Sequence, residues 1–282
     1  MEASDHSIRC VRSSHHEEMR TAPLSETIMK SSIAILSALG LAACPAPGAS
    51  IYSDSNDGFL EVRETLPPTG SWPVVHGETF GGWEANVGEW YNAGNPPLGL
   101  TAIVLPFQLP DFGAVANPFQ SADFGVMVHT LGDATVSNID LYAIRTSASP
   151  AIQATDWYNG AAPDPGATMI QAGFLTPASA AGFVGAPNNN TDASGDANLV
   201  AYLNTAYNGG AGAGDYVFLR MSYASDTFAT GWDAYKITMR EAGQEGEWPV
   251  VTYEAIPEPA AGALLALGVL GLLGFRSRRT IA

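Results

Sequence analysis

The sequence predicts an all-β fold, a two-sheet β-sandwich with one short helix, on three observations. Between residues 51 and 254, short runs of β-favouring residues recur, each bounded by Gly, Pro, Asn or Asp. Several of these runs alternate apolar and polar residues, as half-buried strands do. One segment alone carries helical spacing. Many short strands separated by turn signals favour two packed sheets.

The strands come in order as "LTAIVLPFQLP" (100–110), "ADFGVMVHTLG" (122–132), "SNIDLYAIR" (137–145), "DYVFLRMSY" (215–223), "DAYKITMR" (233–240) and "EWPVVTYE" (247–254). In the third run Ile139, Leu141 and Ala143 share one face. In the fourth, Tyr216, Phe218 and Arg220 oppose Val217, Leu219 and Met221, so this strand is apolar on nearly both faces and is predicted to be central. The exception is "SGDANLVAYLNTAYNGGAGAG" (194–214). Leu199, Leu203 and Ala206 fall at i, i+4 and i+7, Ser194 or Asp196 can cap, and Gly209-Gly210 ends the run. A helix of about three turns is expected there. Trp-Pro-Val-Val occurs at Trp72 and again at Trp248. Proline cannot donate within a ladder, so both copies read as edge or terminal strands, which would bring the domain's ends together.

The 282 residues carry a formal net charge of -16, and residues 50–254 hold 22 Asp+Glu against 5 Lys+Arg. Such a surface repels phosphate backbones and argues against nucleic acid as a partner. The two cysteines, Cys10 and Cys44, both precede the body, which therefore rests on burial and backbone pairing rather than disulfides.

The ends read as addresses. Residues 1–28 are a charged, patternless leader. From Met29 the chain reads "MKSSIAILSALGLAACPAPGAS", with one Lys, an apolar stretch from Ile33 to Ala43 and a cluster of small residues. That is the layout of a secretory signal peptide, assigned to residues 29–50, with a signal helix too short to span a bilayer comfortably. Translation starting at Met29, with residues 1–28 not part of the protein, is favoured over an unusually long leader. Ordinary cleavage near Gly48, Ala49 and Ser50 is favoured over a lipobox reading of Leu41-Ala42-Ala43-Cys44, in which Cys44 would be lipidated. At the other end, residues 260–275 are uninterruptedly apolar or small, about 24 Å as a transmembrane helix against a core of ~30 Å. Arg276, Arg278 and Arg279 follow and hold that end in the cytoplasm, leaving the body outside.

Pro257-Glu258-Pro259, one apolar segment and a short Arg cluster together resemble the PEP-CTERM sorting signal, assigned to residues 255–282. The resemblance implies recognition by an exosortase, a membrane transpeptidase-like enzyme, in bacteria that make exopolysaccharide. The prolines suit it physically, since they keep the recognised segment extended. The body, residues 51–254, resembles DNRLRE-type, carbohydrate-binding-module-like jelly rolls. The resemblance rests on "AIVLPFQLP", "NIDLYAI", the Trp-bearing "ATDWYNG", the helix leading into "YVFLRMSYASD" and the terminal "WPVVTYE". The literal acronym residues are absent, and the stretch 161–190 is longer than that pattern expects. A jelly-roll body implies an extracellular module, some of which bind acidic polysaccharides.

Motifs for catalysis are missing. His76 and His129 have no HExxH or Cys partner, and no GxSxG elbow, P-loop, GxGxxG or cysteine nucleophile occurs. The sequence therefore predicts a non-catalytic surface protein. A polysaccharide hydrolase or lyase using acidic residues and a purely structural envelope protein stand as alternatives. "SDSNDGFLEVRE" places Ser53, Ser55, Asp57, Gly58 and Glu64 at EF-hand loop positions, without flanking helices. "NNNTDASGDAN" (188–198) is a second oxygen-rich loop. The carboxylates put forward for calcium are Asp54, Asp57 and Glu64 in the first loop, Asp192 and Asp196 in the second. For sugar stacking the candidates are Trp83, Trp90, Tyr91 and Trp157, all with Gly, Asn or Glu nearby, against a default of core burial.

Overall fold

The computed structural model describes residues 48–63, 74–77, 84–91, 98–113, 115–131, 138–158, 163–182, 184–224, 233–241 and 244–256. These form the strands β1 (Ala49–Tyr52), β2 (Gly58–Arg63), β3 (Val74–Gly77), β4 (Glu84–Tyr91), β5 (Leu98–Gln108), β6 (Phe119–Val126) and β7 (Val128–Leu131). After them come β8 (Ile139–Ser147), β9 (Thr168–Leu175), β10 (Asn189–Asn190), the helix α1 (Ala193–Asn208), β11 (Tyr216–Tyr223), β12 (Asp233–Thr238) and β13 (Val250–Ala255). A four-stranded sheet runs β1–β13–β6–β10, and a larger one runs β7–β12–β4–β5–β11–β8–β9, with β2 on β5 and β3 on β2. Every pairing among the described residues is antiparallel, and the two sheets make an all-β sandwich, as the sequence predicts. At β5 the larger sheet forks. Residues 98–101 pair with β4 and residues 103–108 with β11, while β2 takes residues 99–104 along the opposite edge.

Alternation along the strands fills the space between the sheets. Ile103, Leu105, Phe107, Val217, Leu219 and Met221 from the larger sheet meet Ala122, Phe124, Val126, Val251 and Tyr253 from the smaller one. Burying a Val, Leu, Ile, Phe or Met side chain fully stabilises by roughly 1.5–3 kcal/mol. The Phe124 ring meets Phe107 edge-on at 6.0 Å and lies tilted against Phe174 at 5.3 Å. The run at 122–132 is two strands rather than one. It leaves the smaller sheet after Val126 and enters the larger at Val128, which makes a corner of the sandwich. Gly125 permits β10 to approach, because a Cβ there would collide with Asn190 and sit 2.9 Å from Pro187.

β11 is central, between β5 and β8. Its second face carries Phe218, buried with Leu60 and Val104 and overlaid by Ile152 and Trp157 from the loop after β8. The same loop is fastened by two arginines. Arg145 stacks on Phe218 at 3.6 Å and donates twice to Asp156, at 2.5 and 2.8 Å. Arg220, 2% exposed, donates to Asp164 at 2.5 Å, to the Asp156 carbonyl at 2.7 Å and to Ser222 at 2.7 Å. Removing one partner of such a buried pair costs about 3–5 kcal/mol, so the sheet's outer face is firmly covered.

Three expectations need correction. The helix begins earlier and runs longer: Asp192, not Ser194 or Asp196, is the cap, accepting from Ser194 N and Gly195 N at 2.9 and 2.8 Å, and α1 has 16 residues. The cap and the burial of Leu199 and Leu203 outweigh the poor helix propensity of the first turn. The second Trp-Pro-Val-Val copy leads into β13, which is the terminal strand as expected but no edge: it lies between β1 and β6, and Pro249 stops one residue short of the ladder. Val74 and Val75 of the first copy begin β3, which among the described residues pairs only with β2, in the other sheet; Trp72 and Pro73 lie outside the described residues. The long stretch 161–190 is no simple insert either, since it contains β9. Among the described residues no helix is long and apolar enough to cross a membrane; the expected signal helix and the apolar run 260–275 lie outside them.

Candidate functional site at the chain ends

β1 and β13 pair from Ala49↔Tyr253 to Tyr52↔Val250, so the body's first and last strands lie side by side. The ends do meet, but through β1 rather than through the first Trp-Pro-Val-Val copy. Beside them opens a groove of about 590 Å³ lined by Gly48, residues 120–123, Asp196, Ala197, Val200 and residues 252–254. Ala197 and Val200 come from α1, and Tyr253 from the core edge of β13. Asp123, Asp196 and Glu254 bring carboxylates to the same space, with Gln120, Ser121 and Thr252 as neutral polar groups.

Thr191 organises the acidic side. Its hydroxyl oxygen accepts from Phe124 N at 3.0 Å and lies 3.0 Å from Asp123 Oδ1 and 2.5 Å from Asp196 Oδ1. One hydroxyl has one proton, so it can donate to only one of two carboxylates. Burial, with help from the Asp196 charge, raises the Asp123 pKa, opposed by the Thr191 hydrogen bond. Gly195 N–H is taken by the cap, and a Cβ at this glycine would run into Gln171 and sit 3.0 Å from Thr191 Cβ, which keeps α1 close against the network.

The first oxygen-rich loop is built differently. Asp57 is fully buried. Its Oδ2 accepts from Ser53 Oγ at 2.6 Å and from Arg240 N at 3.3 Å, while the Arg240 guanidinium donates to Ser53 O and stacks on Trp248 at 4.9 Å. Burial drives the Asp57 pKa up to about 7, opposed by the Ser53 bond and assisted by the Glu241 charge. Asp54 caps the turn, accepting from Asn56 N at 3.0 Å and from Asn56 Nδ2 at 2.6 Å. Glu64 lies outside the described residues. Among the described residues there is no group of three or more His, Cys, Asp or Glu able to hold a metal ion.

Trp157 is half-buried over Leu60, Val104 and Phe218. Trp90 and Tyr91 stand on β4 opposite Gly99 and Leu98, their side chains outside the described residues, as is Trp83. His129 pairs with Glu84, and its pKa is lowered by burial and by Lys236. Sequence reasoning missed Asp123, Thr191 and Glu254. The available signal was Asp123 between Ala122 and Phe124, an acid on the polar phase of an alternating strand.

No curated protein matches the chain. Its last segment does match a family description. Residues 255–279 match the PEP-CTERM protein-sorting motif. The sorting tripeptide Pro257, Glu258, Pro259 and the arginines Arg276, Arg278 and Arg279 fall within that match and outside the described residues. The chain thus carries a PEP-CTERM sorting signal that starts at the last residue of β13, and with it the mark of export to the cell envelope or surface.

Proposed function

We propose that this chain is an exported, exosortase-processed protein of the cell surface or extracellular matrix, and that its non-catalytic sandwich binds exopolysaccharide in the groove beside β13. The groove itself carries the reading. Its lining offers the apolar surfaces of Ala197, Val200 and Tyr253 together with the acceptors Asp123, Asp196 and Glu254. A pyranose presents C–H faces to the first and hydroxyl donors to the second, the combination of an apolar pocket with a few polar groups that fixes a small ligand. The carboxylates repel uronic acids, so neutral glycans are favoured over the acidic ones that the jelly-roll resemblance suggests. Affinity electrophoresis on neutral and acidic polysaccharides tests this. Retention on a neutral glycan that falls at least tenfold in Asp123→Asn/Asp196→Asn supports it; retention lost instead in Trp83→Ala/Trp90→Ala moves the site to β4. No retention on any glycan leaves a purely structural envelope protein.

A second reading draws on the pair at Thr191. Two carboxyl groups within 3.0 Å of one hydroxyl oxygen, the first with a raised pKa, are close enough for the acid and nucleophile of a retaining glycosidase, about 5–5.5 Å apart as a rule. Release of reducing ends from a native exopolysaccharide, abolished in Asp196→Asn, would favour it.

A further inference from the structure

The fold and the sorting motif overlap. Among the described residues β13 is paired on both edges only as far as Tyr253, opposite Ala49 at the start of β1. Beyond it the described partners lie on the β6 edge: Glu254 pairs with Ser121 and Ala255 stands opposite Phe119, with a register slip between the two pairs at Gln120. Ile256 then donates its N–H to Pro118 O at 2.8 Å, and its side chain is 42% exposed. The motif starts at residue 255, and Pro257 follows Ile256 directly.

The support under these residues is fixed. Asn204 of α1 accepts from Phe119 N at 3.0 Å and donates to Phe119 O at 2.9 Å, and Asn208 meets Asn117. The next residue inward is fixed too. Tyr253 packs its ring against Phe112 at 5.7 Å and Phe119 at 5.4 Å, and Phe112 meets Tyr207 at 5.7 Å. Between a held floor and a held Tyr253 lie three residues paired on one side across a register slip. Such one-sided ends sit at the low-stability extreme of a fold.

A processing enzyme that binds its substrate as an extended strand needs the backbone N–H and C=O groups next to Pro257. In the folded body the Ile256 N–H is held by Pro118 O, and Glu254 is paired with Ser121 on β6. We propose that residues 254–256 are a detachable overhang: the sorting enzyme draws them off β6, Tyr253 stops the peeling, and processing proceeds through this opened state. The proposal rests on the reading of residues 255–279 as a sorting signal.

Glu254 and Ser121 face each other across the strands and are accessible, so Ser121→Cys/Glu254→Cys pins the overhang when oxidised and frees it when reduced. Precursor conversion is followed by mass spectrometry in cells that process the native chain. The oxidised variant should convert at least tenfold more slowly than the same variant under reductant. A four-residue Gly-Ser insertion between Ile256 and Pro257 should restore the rate in the pinned variant by supplying free backbone. Conversion of the pinned precursor at the native rate, or an insertion without effect on it, overturns the proposal. A native chain that is never converted overturns the sorting reading instead.

Discussion

The turn at residues 53–57 and the segment at residues 188–196 read alike in the sequence, each a run of Asn and Asp with Ser or Thr next to a glycine. In the fold they are opposites. The first turns its key carboxylate inward, where Asp57 is fully buried against Ser53 and Arg240. The second leaves Asp123 and Asp196 on the wall of an open groove, joined through Thr191. The first arrangement stabilises a turn; the second leaves lone pairs facing solvent, where a ligand can reach them. Counting oxygen-bearing residues cannot separate the two, because the difference comes from which strand packs behind each loop.

The largest expected consequence is in the pH dependence of stability. Asp57 holds its proton more tightly in the fold, with a pKa of about 7 against 3.8. The stability this gives is complete below about pH 3.8 and is lost as pH rises through about 7. Melting temperature should therefore fall across that window. Asp57→Asn should flatten most of the slope and Asp123→Asn, whose parent carboxylate is also raised, a smaller part of it. An unchanged slope in Asp57→Asn would place the titration elsewhere and undo the contrast.

Next comes Thr191→Val. It leaves Phe124 N–H buried without its acceptor and the two groove carboxylates without their common partner, and should cost about 1–3 kcal/mol in urea unfolding. Removing the α1 cap with Asp192→Ala should cost about 1 kcal/mol. The smallest effect is expected from calcium. Asp54, Asp57, Asp192 and Asp196 each accept a hydrogen bond within the fold and form no cluster of three carboxylates among the described residues, so millimolar calcium should leave the melting temperature unchanged. A rise that vanishes in Asp57→Asn would restore the loop as an ion site.

Much of the sandwich is legible because alternation survives wherever a strand is long. Residues 139–144 and 216–221 place their apolar phases on the faces that the structure buries. The losses have local causes. β9 hides because alternation fails around Gly173, at φ 60°: Ala172 is exposed between buried Ile170 and Phe174, Leu175 is buried beside Phe174, and the pairing with β8 slips twice. The corner at Met127 is invisible because a strand that changes sheets keeps its hydrophobicity. For α1 the start is obscured by Ser194 and Gly195, poor helix formers that the Asp192 cap overrides. At the groove, Asp123 and Thr191 are 68 residues apart in the chain and become neighbours only when β6 meets the entry to α1. The sorting signal is the reverse case: it is read by linear order, so the sequence displays it whole.

The most direct test of the central claim, that the sandwich is the exported product of a processed precursor, is the intact mass of the protein recovered from secreted and membrane fractions. The expected C-terminus lies shortly after Ile256, with the apolar run 260–275 and the arginines gone. A mature chain that still extends to Ala282 would contradict it.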